Sequence, residues 1–363
     1  MTQRYPFNDD LLLSQEDRAK AQIMWPNVAF AFQNDDLKGA FEALNDKAVS
    51  SKARARHWGV TAVGLVWASL LAASAEPLYA HSPLKNLAIG IAAIAGIAGA
   101  VIGAAGVMFA ESKRRWLERR FLTERLRQFN FQSVIFLADE ILRAAETGDH
   151  TEFRQRREQC LTTFDTNVIA RVSASYESTV EHTDEEKSPW LFEDGLPSKH
   201  LNGPHLDELL DAYATLRFRR QIDFVNHKLS RDRHMFSPFP AEQAARFGIA
   251  ALMCVVGLVA LHALVAWGAF KGASHDVMLV GQIAAMWLAI TALALRTLEE
   301  GLQPHRETER YRAYRAATKR AQRAFENART AKEKLTSMRD MERLSFDEML
   351  SFLESNQEAK FVM

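Results

Sequence analysis

Apolar and polar positions are sharply segregated along this 363-residue chain. Four windows are apolar and almost free of charge: about His57 to Ala75, Leu87 to Ala110, Phe247 to Phe270 and Val277 to Leu295. Each approaches the roughly twenty residues a helix needs to cross a bilayer. Buried helices of a soluble protein are the competing reading, and four such runs in two close pairs argue against it. The pattern therefore predicts an all-α integral membrane protein, with four transmembrane helices arranged as two hairpins and long polar helices outside them.

The connectors give an orientation. "EPLYAHSPLK" and "KGASHD", inside the two hairpins, are short and sparsely charged. The other flanks are basic: Lys52, Arg54 and Arg56 before the first window, "KRRWLERR" after the second, Arg246 before the third and Arg296 after the fourth. The positive-inside tendency then places both termini and the central segment in the cytoplasm. The N-terminus shows no cleavable signal pattern, so targeting is expected from the first internal apolar segment.

Between and after the hairpins the apolar spacing becomes helical. Trp116, Leu117, Phe121, Leu126, Phe129, Val134, Leu137, Ile141 and Leu142 recur at three- and four-residue steps over 111–147, and Gly148 is placed to cap that run. A second charged helix is expected from about Arg306 to Glu354. The halves look alike at an offset of about 190 to 195 residues, which reads as a parallel internal repeat. The sequence divides into an N-terminal helical segment (1–50), a first half (51–181), a Pro- and Gly-bearing linker (182–205) and a second half (206–363). Helical patterning resumes near Leu206, and "SPFP" at 237–240 breaks it before the third window.

Charge and motifs narrow the function. Forty-five basic and forty-five acidic residues give zero formal net charge, so no global field favours duplex nucleic acid. Cys160 and Cys254 form no disulfide or zinc pattern. No phosphate-binding loop, zinc-protease motif or nucleophile elbow occurs. The expectation is a protein that is not an enzyme and carries no cofactor. His182, His200 and His205 lie near Asp184 and Glu185, but their spacing fits no standard metal site, so no metal is expected.

Three features remain as candidate sites. Gly96, Gly99, Gly103 and Gly106 are spaced three, four and three, and so share one helix face. In lipid, small residues permit close helix approach. That face either packs within its hairpin or on the fourth span, packs between subunits, or lines a pore that gates by dewetting. His262 is the ionisable residue inside a span, a candidate by default that could equally snorkel to the interface. Gln282 and Thr291 are expected to bond across helices. The basic stretch "LRFRRQIDFVNHKLSRDRH" offers Arg217, Arg219, Arg220, Lys228 and Arg231 to phosphates, with Phe218 and Phe224 to stack bases. Lipid headgroups or local ion pairs compete for the same arginines.

Arg115, Trp116, Arg119, Arg120, Glu124, Arg125, Leu126, Arg127 and Phe129 follow a two-span hairpin in a pattern that resembles the SLATT domains. A fainter copy runs through Arg310, Tyr311, Tyr314, Arg315, Lys319, Arg320 and Phe325. SLATT domains are two-transmembrane effectors that accompany nucleotide-signalling proteins in bacterial defence. The doubled hairpin also resembles the membrane effector of the Hailong defence system. The resemblance implies a homo-oligomer, a tetramer as a first guess, in the bacterial inner membrane. It would form a gated ion-permeable pore that disturbs the membrane during antiphage defence. A nucleotide or oligonucleotide from a partner nucleotidyltransferase would control it. The alternative is a non-conducting scaffold or sensor that anchors such an enzyme. A transporter fits less well, since the spans lack broken helices.

Overall fold

The computed structural model describes residues 8–108, 110–164, 188–192, 195–197, 201–230, 239–268 and 274–358. Among them every regular element is helical and no strand occurs. The main helices in chain order are α1 (Gln15–Met24), α2 (Asp35–Ser74), α3 (Lys85–Met108), α4 (Ala110–Phe136), α5 (Ala138–Thr147) and α6 (Thr151–Phe164). They continue with α7 (Leu206–Tyr213), α8 (Arg220–Lys228), α9 (Pro240–Ala266), α10 (His275–Leu302), α11 (Pro304–Asn327) and α12 (Ala331–Glu358). Single turns at Asp9–Leu11, Ala29–Phe32 and Glu76–Tyr79 join some of them, and a π-helical stretch, Ala214–Arg219, fuses α7 to α8. The four apolar windows fall in α2, α3, α9 and α10, each long and apolar enough to cross a membrane.

Local signals account for most boundaries. Ser14 caps α1 by accepting from the Asp17 N–H at 3.0 Å. Gly148 ends α5 in the left-handed region (φ 73°), its N–H bonded to the Ala144 carbonyl at 2.9 Å. Pro240 occupies the first turn of α9, where its missing N–H costs no helical bond.

Two expected single helices are divided. The 111–147 run breaks at Leu137 (φ −106°, ψ 24°), which separates α4 from α5. The charged C-terminal run is not one helix but two, α11 and α12. Its division has a local cause in "TAKE", residues 330–333. Thr330 Oγ1 accepts from the Glu333 N–H at 3.2 Å, while Glu333 Oε2 accepts from the Thr330 N–H at 3.2 Å. This reciprocal capping box starts α12 afresh. The two helices then fold back antiparallel: Arg310 pairs with Glu348 at 3.1 Å, and Tyr314 shares a hydrogen bond with Ser345 at 3.2 Å.

The chain forms two compact units, each assembled from three separate stretches. The first contains Met1–Val49, Arg114–Leu229 and Glu309–Glu354; the second contains Ser50–Lys113, Ser230–Thr308 and Ser355–Met363. In the first unit α4 is the central element, buried around almost its whole circumference from Phe121 to Phe136. Its Phe129 and Phe131 share one core with Phe32, Tyr213, Phe218 and Met338. A smaller cluster joins Trp116, Leu117 and Phe121 to Phe346, Met349 and Phe352.

In the second unit the apolar helices pack in the order α3, α2, α10, α9. Ser69 of α2 donates to the Ala92 carbonyl of α3 at 2.7 Å. Trp67 of α2 donates to Thr291 of α10 at 3.1 Å, and Trp287 of α10 donates to the Leu71 carbonyl at 3.1 Å and to Ser74 at 3.0 Å. Gly257 of α9 faces Leu288 of α10. The opposite faces of α3 and α9 present Ile91, Ile94, Ile97, Leu252, Met253 and Val259 outward.

Candidate functional site

The glycine face of α3 has a definite neighbour. A Cβ on Gly96 would lie 2.6 Å from Ser69 Oγ, and one on Gly99 would lie 2.7 Å from Val66 Cγ2 and 3.0 Å from the Val66 backbone nitrogen. These two glycines therefore let α3 settle against α2, its own hairpin partner. Gly103 has nothing within 4 Å. Gly106 lies in the last turn of α3. The stripe thus divides into a part closed by the hairpin and a part left open at Gly103.

His262 is exposed on α9, and its Nδ1 lies 2.8 Å from the Leu258 carbonyl one turn back. That nitrogen is engaged within its own helix. Thr291 accepts from Trp67 across helices, as expected of it, whereas Gln282 is exposed. Cys254 helps line an apolar cavity of about 420 Å³ with Trp67, Leu71, Trp287, Leu288 and Thr291.

The arginine stretch does not form one surface. Arg217 is 2% exposed, and its Nε and terminal nitrogen donate to the two carboxylate oxygens of Glu342 at 2.8 and 2.9 Å. Tyr213 donates to the same carboxylate at 2.8 Å, and the guanidinium lies 4.6 Å from the Phe131 ring centre. Burial opposes the charge on Arg217, but Glu342 outweighs it and holds the guanidinium firmly protonated. Arg219 is exposed and reaches Thr215; Arg220 pairs with Asp9; Lys228 lies over the Phe224 ring. Arg231 lies outside the described residues, as do His182, His200, Asp184 and Glu185. The rings suggested for base stacking are spent on the core: Phe218 against Tyr213 and Phe325, and Phe224 against Tyr311. His205 sits 3.7 Å from Glu208, and no metal-ligating cluster occurs among the described residues.

The sequence reading missed the more unusual electrostatics, which centre on α4. Arg125, Arg127, Gln128, Asn130 and Gln132 are all buried there. Arg127 meets Glu124 at 3.0 Å, Asn8 at 2.8 Å and Asp10 at 3.2 Å. Asp10 is fully buried, and neither carboxylate oxygen has an aligned hydrogen bond. Burial lifts its pKa from 3.8 to about 6, against the opposing pull of Arg127 and Arg217. Glu124 is only partly buried; burial raises its pKa, yet Arg120, Arg127 and Arg217 together hold it below its ordinary range. Glu124, Arg125 and Arg127 fall within the SLATT-like pattern, but that pattern says nothing of their burial, and Asp10 lies in no motif. The sequence signal for burial is the density of polar residues on a helix whose aromatic residues fall on several faces.

The Asp10 shift has a sign that can be tested. Its folded pKa exceeds its unfolded one, so folding takes up a proton between about pH 4 and 6. Its contribution to stability is largest below that window and is lost as pH rises through about 6. The difference in unfolding free energy between wild type and Asp10→Asn should therefore fall between about pH 4.5 and 7.5. A difference that stays flat in denaturant titrations across that range would rule the assignment out.

No protein-family model, curated protein or solved structure matches the chain. Function must be argued from the geometry itself. The residues that carry the SLATT resemblance acquire a structural meaning from it. Trp116 packs on Phe352 with ring centres 5.9 Å apart, and Arg125, Leu126, Arg127 and Phe129 all lie in the interior. In the fainter copy Tyr311, Tyr314 and Phe325 are buried too.

Proposed function

We propose that this chain is an oligomeric membrane effector of bacterial antiphage defence, which forms an ion-permeable pore gated by a nucleotide or oligonucleotide signal. Its four apolar helices span the inner membrane, with both termini and the helical body in the cytoplasm. The observation that supports this most directly is the outward face of α3 and α9. Soluble monomers rarely expose contiguous apolar patches above a few hundred Å², and here Ile91, Ile94, Ile97, Leu252, Met253 and Val259 all face outward. Lipid or a second subunit would cover them. The SLATT-like motif follows the first hairpin in the chain and lies within a polar unit rich in buried ion pairs. Such pairs discriminate strongly between arrangements of their helices, because separating them strands charges. A ligand that bound one arrangement better would shift the population towards it.

One observation favours the non-conducting scaffold as a second reading. Gly96 and Gly99 are already engaged by α2, so much of the small-residue face is unavailable to neighbouring subunits or a pore. Ion flux through liposomes holding the purified protein separates the two. The pore reading expects flux that changes when ATP or mixed ribo- and deoxyribo-oligonucleotides are added. Intact oligomers that pass no ions under any of these conditions would overturn it and leave the scaffold.

A further inference from the structure

Among the described residues Arg125 is a buried cation without an anion: it is 4% exposed on α4, and no carboxylate there pairs with it. One terminal nitrogen donates to Gln128 Oε1 at 2.8 Å and at longer range, 3.3 Å, to the Pro189 carbonyl; the other reaches the Ser188 carbonyl at 3.3 Å. The Phe346 ring lies beneath the guanidinium, 4.9 Å from its centre. Two further donors of this pair, Arg125 Nε and Gln128 Nε2, are buried with no acceptor. The site therefore has surplus N–H groups and one uncompensated positive charge. Burial alone lowers the Arg125 pKa to about 9. Elsewhere in this unit buried arginines meet carboxylates, Arg217 with Glu342 and Arg127 with Glu124. A buried charge left without a counter-charge is strongly destabilising, and unmatched buried donors call for an ion or water.

The cover over Arg125 is a short segment, Ser188–Phe192, with its own fastening. Gln132 donates to the Pro189 carbonyl at 2.7 Å and accepts from the Leu191 N–H at 2.9 Å. Phe192 stacks on Phe129 and Phe136, and Trp190 lies under the Arg339 guanidinium at 4.4 Å. The covering carbonyls are weak, neutral acceptors for a guanidinium fork that suits an oxyanion better.

We propose that Arg125 and Gln128 form a buried receptor for a phosphate-type oxyanion, with Ser188–Phe192 as the cover that the anion displaces. The Ser188 and Pro189 carbonyls hold the guanidinium in the closed state. A phosphate group takes their place, engages Arg125 Nε and Gln128 Nε2 as well, and moves the cover away from α4. This deepens the functional reading by giving a phosphorylated signal a place to bind, and it rests on that reading only for the signal's identity. The two fail separately, since flux without phosphate binding and phosphate binding without flux are both observable.

The test is thermal unfolding of the full-length protein in detergent, titrated with inorganic phosphate against chloride at matched ionic strength. Phosphate is expected to raise the wild-type midpoint, and neither Arg125→Met nor Gln128→Leu should respond. Gln132→Leu removes both hydrogen bonds that fasten the cover without touching the receptor, so it should need about thirtyfold less phosphate, the factor two lost hydrogen bonds supply at about 1 kcal/mol each. AMP and phosphatidylserine nanodiscs as further arms distinguish a soluble phosphate ester from a headgroup. Absence of any phosphate effect in wild type overturns the proposal, as does an effect that survives in Gln128→Leu. Should Arg125→Met fail to fold, Gln128→Leu and Gln132→Leu still decide, because a purely structural cover would give no gain in phosphate sensitivity.

Discussion

Replacing Glu342 by alanine is expected to destabilise the polar unit by about 3–5 kcal/mol, the largest effect of any single polar substitution in it. The size follows from burial. Exposed ion pairs contribute on the order of 0–1 kcal/mol because water screens both partners, but Arg217 and Glu342 have side chains only 2% and 0% accessible. Removing the carboxylate strands a guanidinium that water cannot reach and leaves the Tyr213 hydroxyl without its carboxylate acceptor. The π-helical turn at Ala214–Arg219, which delivers Arg217 to this position, would lose its anchor as well. Denaturant titration of Glu342→Ala measures the cost. Arg217→Met with Glu342→Leu should recover most of it, because a pair replaced by apolar residues of similar volume leaves no orphan charge. A single mutant that loses less than about 1 kcal/mol would show that the pair is solvated after all.

Gly99→Leu should be the most disruptive change in the apolar unit. Any side chain there begins 2.7 Å from Val66 Cγ2 and about as close to backbone atoms of α2, at 3.0 Å from Val66 N and 3.1 Å from the Ala62 carbonyl. The valine methyl can rotate, but the α2 backbone can yield only by moving the whole helix. Overpacking of this kind costs about 1–3 kcal/mol or more, and here it would also pull Ser69 from the Ala92 carbonyl. Gly103→Leu meets nothing within 4 Å and should leave the hairpin intact. Unfolding midpoints and oligomer mass in detergent read the two effects apart. Normal midpoints with broken oligomers in Gly103→Leu would place a neighbouring subunit at the open end of the stripe. Equal loss of midpoint in both variants would contradict the division of the stripe drawn from α2.

Legibility differed between the two units for a physical reason. Membrane-length apolar runs announce themselves locally, since every residue of such a run must avoid charge, and the four windows reappear as α2, α3, α9 and α10. The stop at Gly148 and the start at Pro240 were equally local, each set by one residue's backbone preference. The capping box at Thr330 and Glu333 was legible in principle, but the continuous charged periodicity masked it. In the polar unit the same reasoning misled. Arg217 stood among surface-like arginines and turned out to be buried, because what decides its fate is Glu342, 125 residues away. Arg125 and Arg127 stood in the SLATT-like pattern, which held no sign of their burial, and Asp10 carried no motif.

By itself, then, the chain determined that it is helical, where its apolar spans lie and how most of its helices begin and end. These properties depend on runs and neighbours within a few residues, and backbone hydrogen bonding within a helix enforces them at once. Tertiary structure decided what the spans and charges face. It grouped three separate stretches into each unit, turned Gly96 and Gly99 towards α2 rather than another subunit, and sealed Arg125 and Arg127 of α4 inside. Such choices rest on pairings between residues far apart in sequence, and a helix with polar groups on every side carries no periodicity that could point to them.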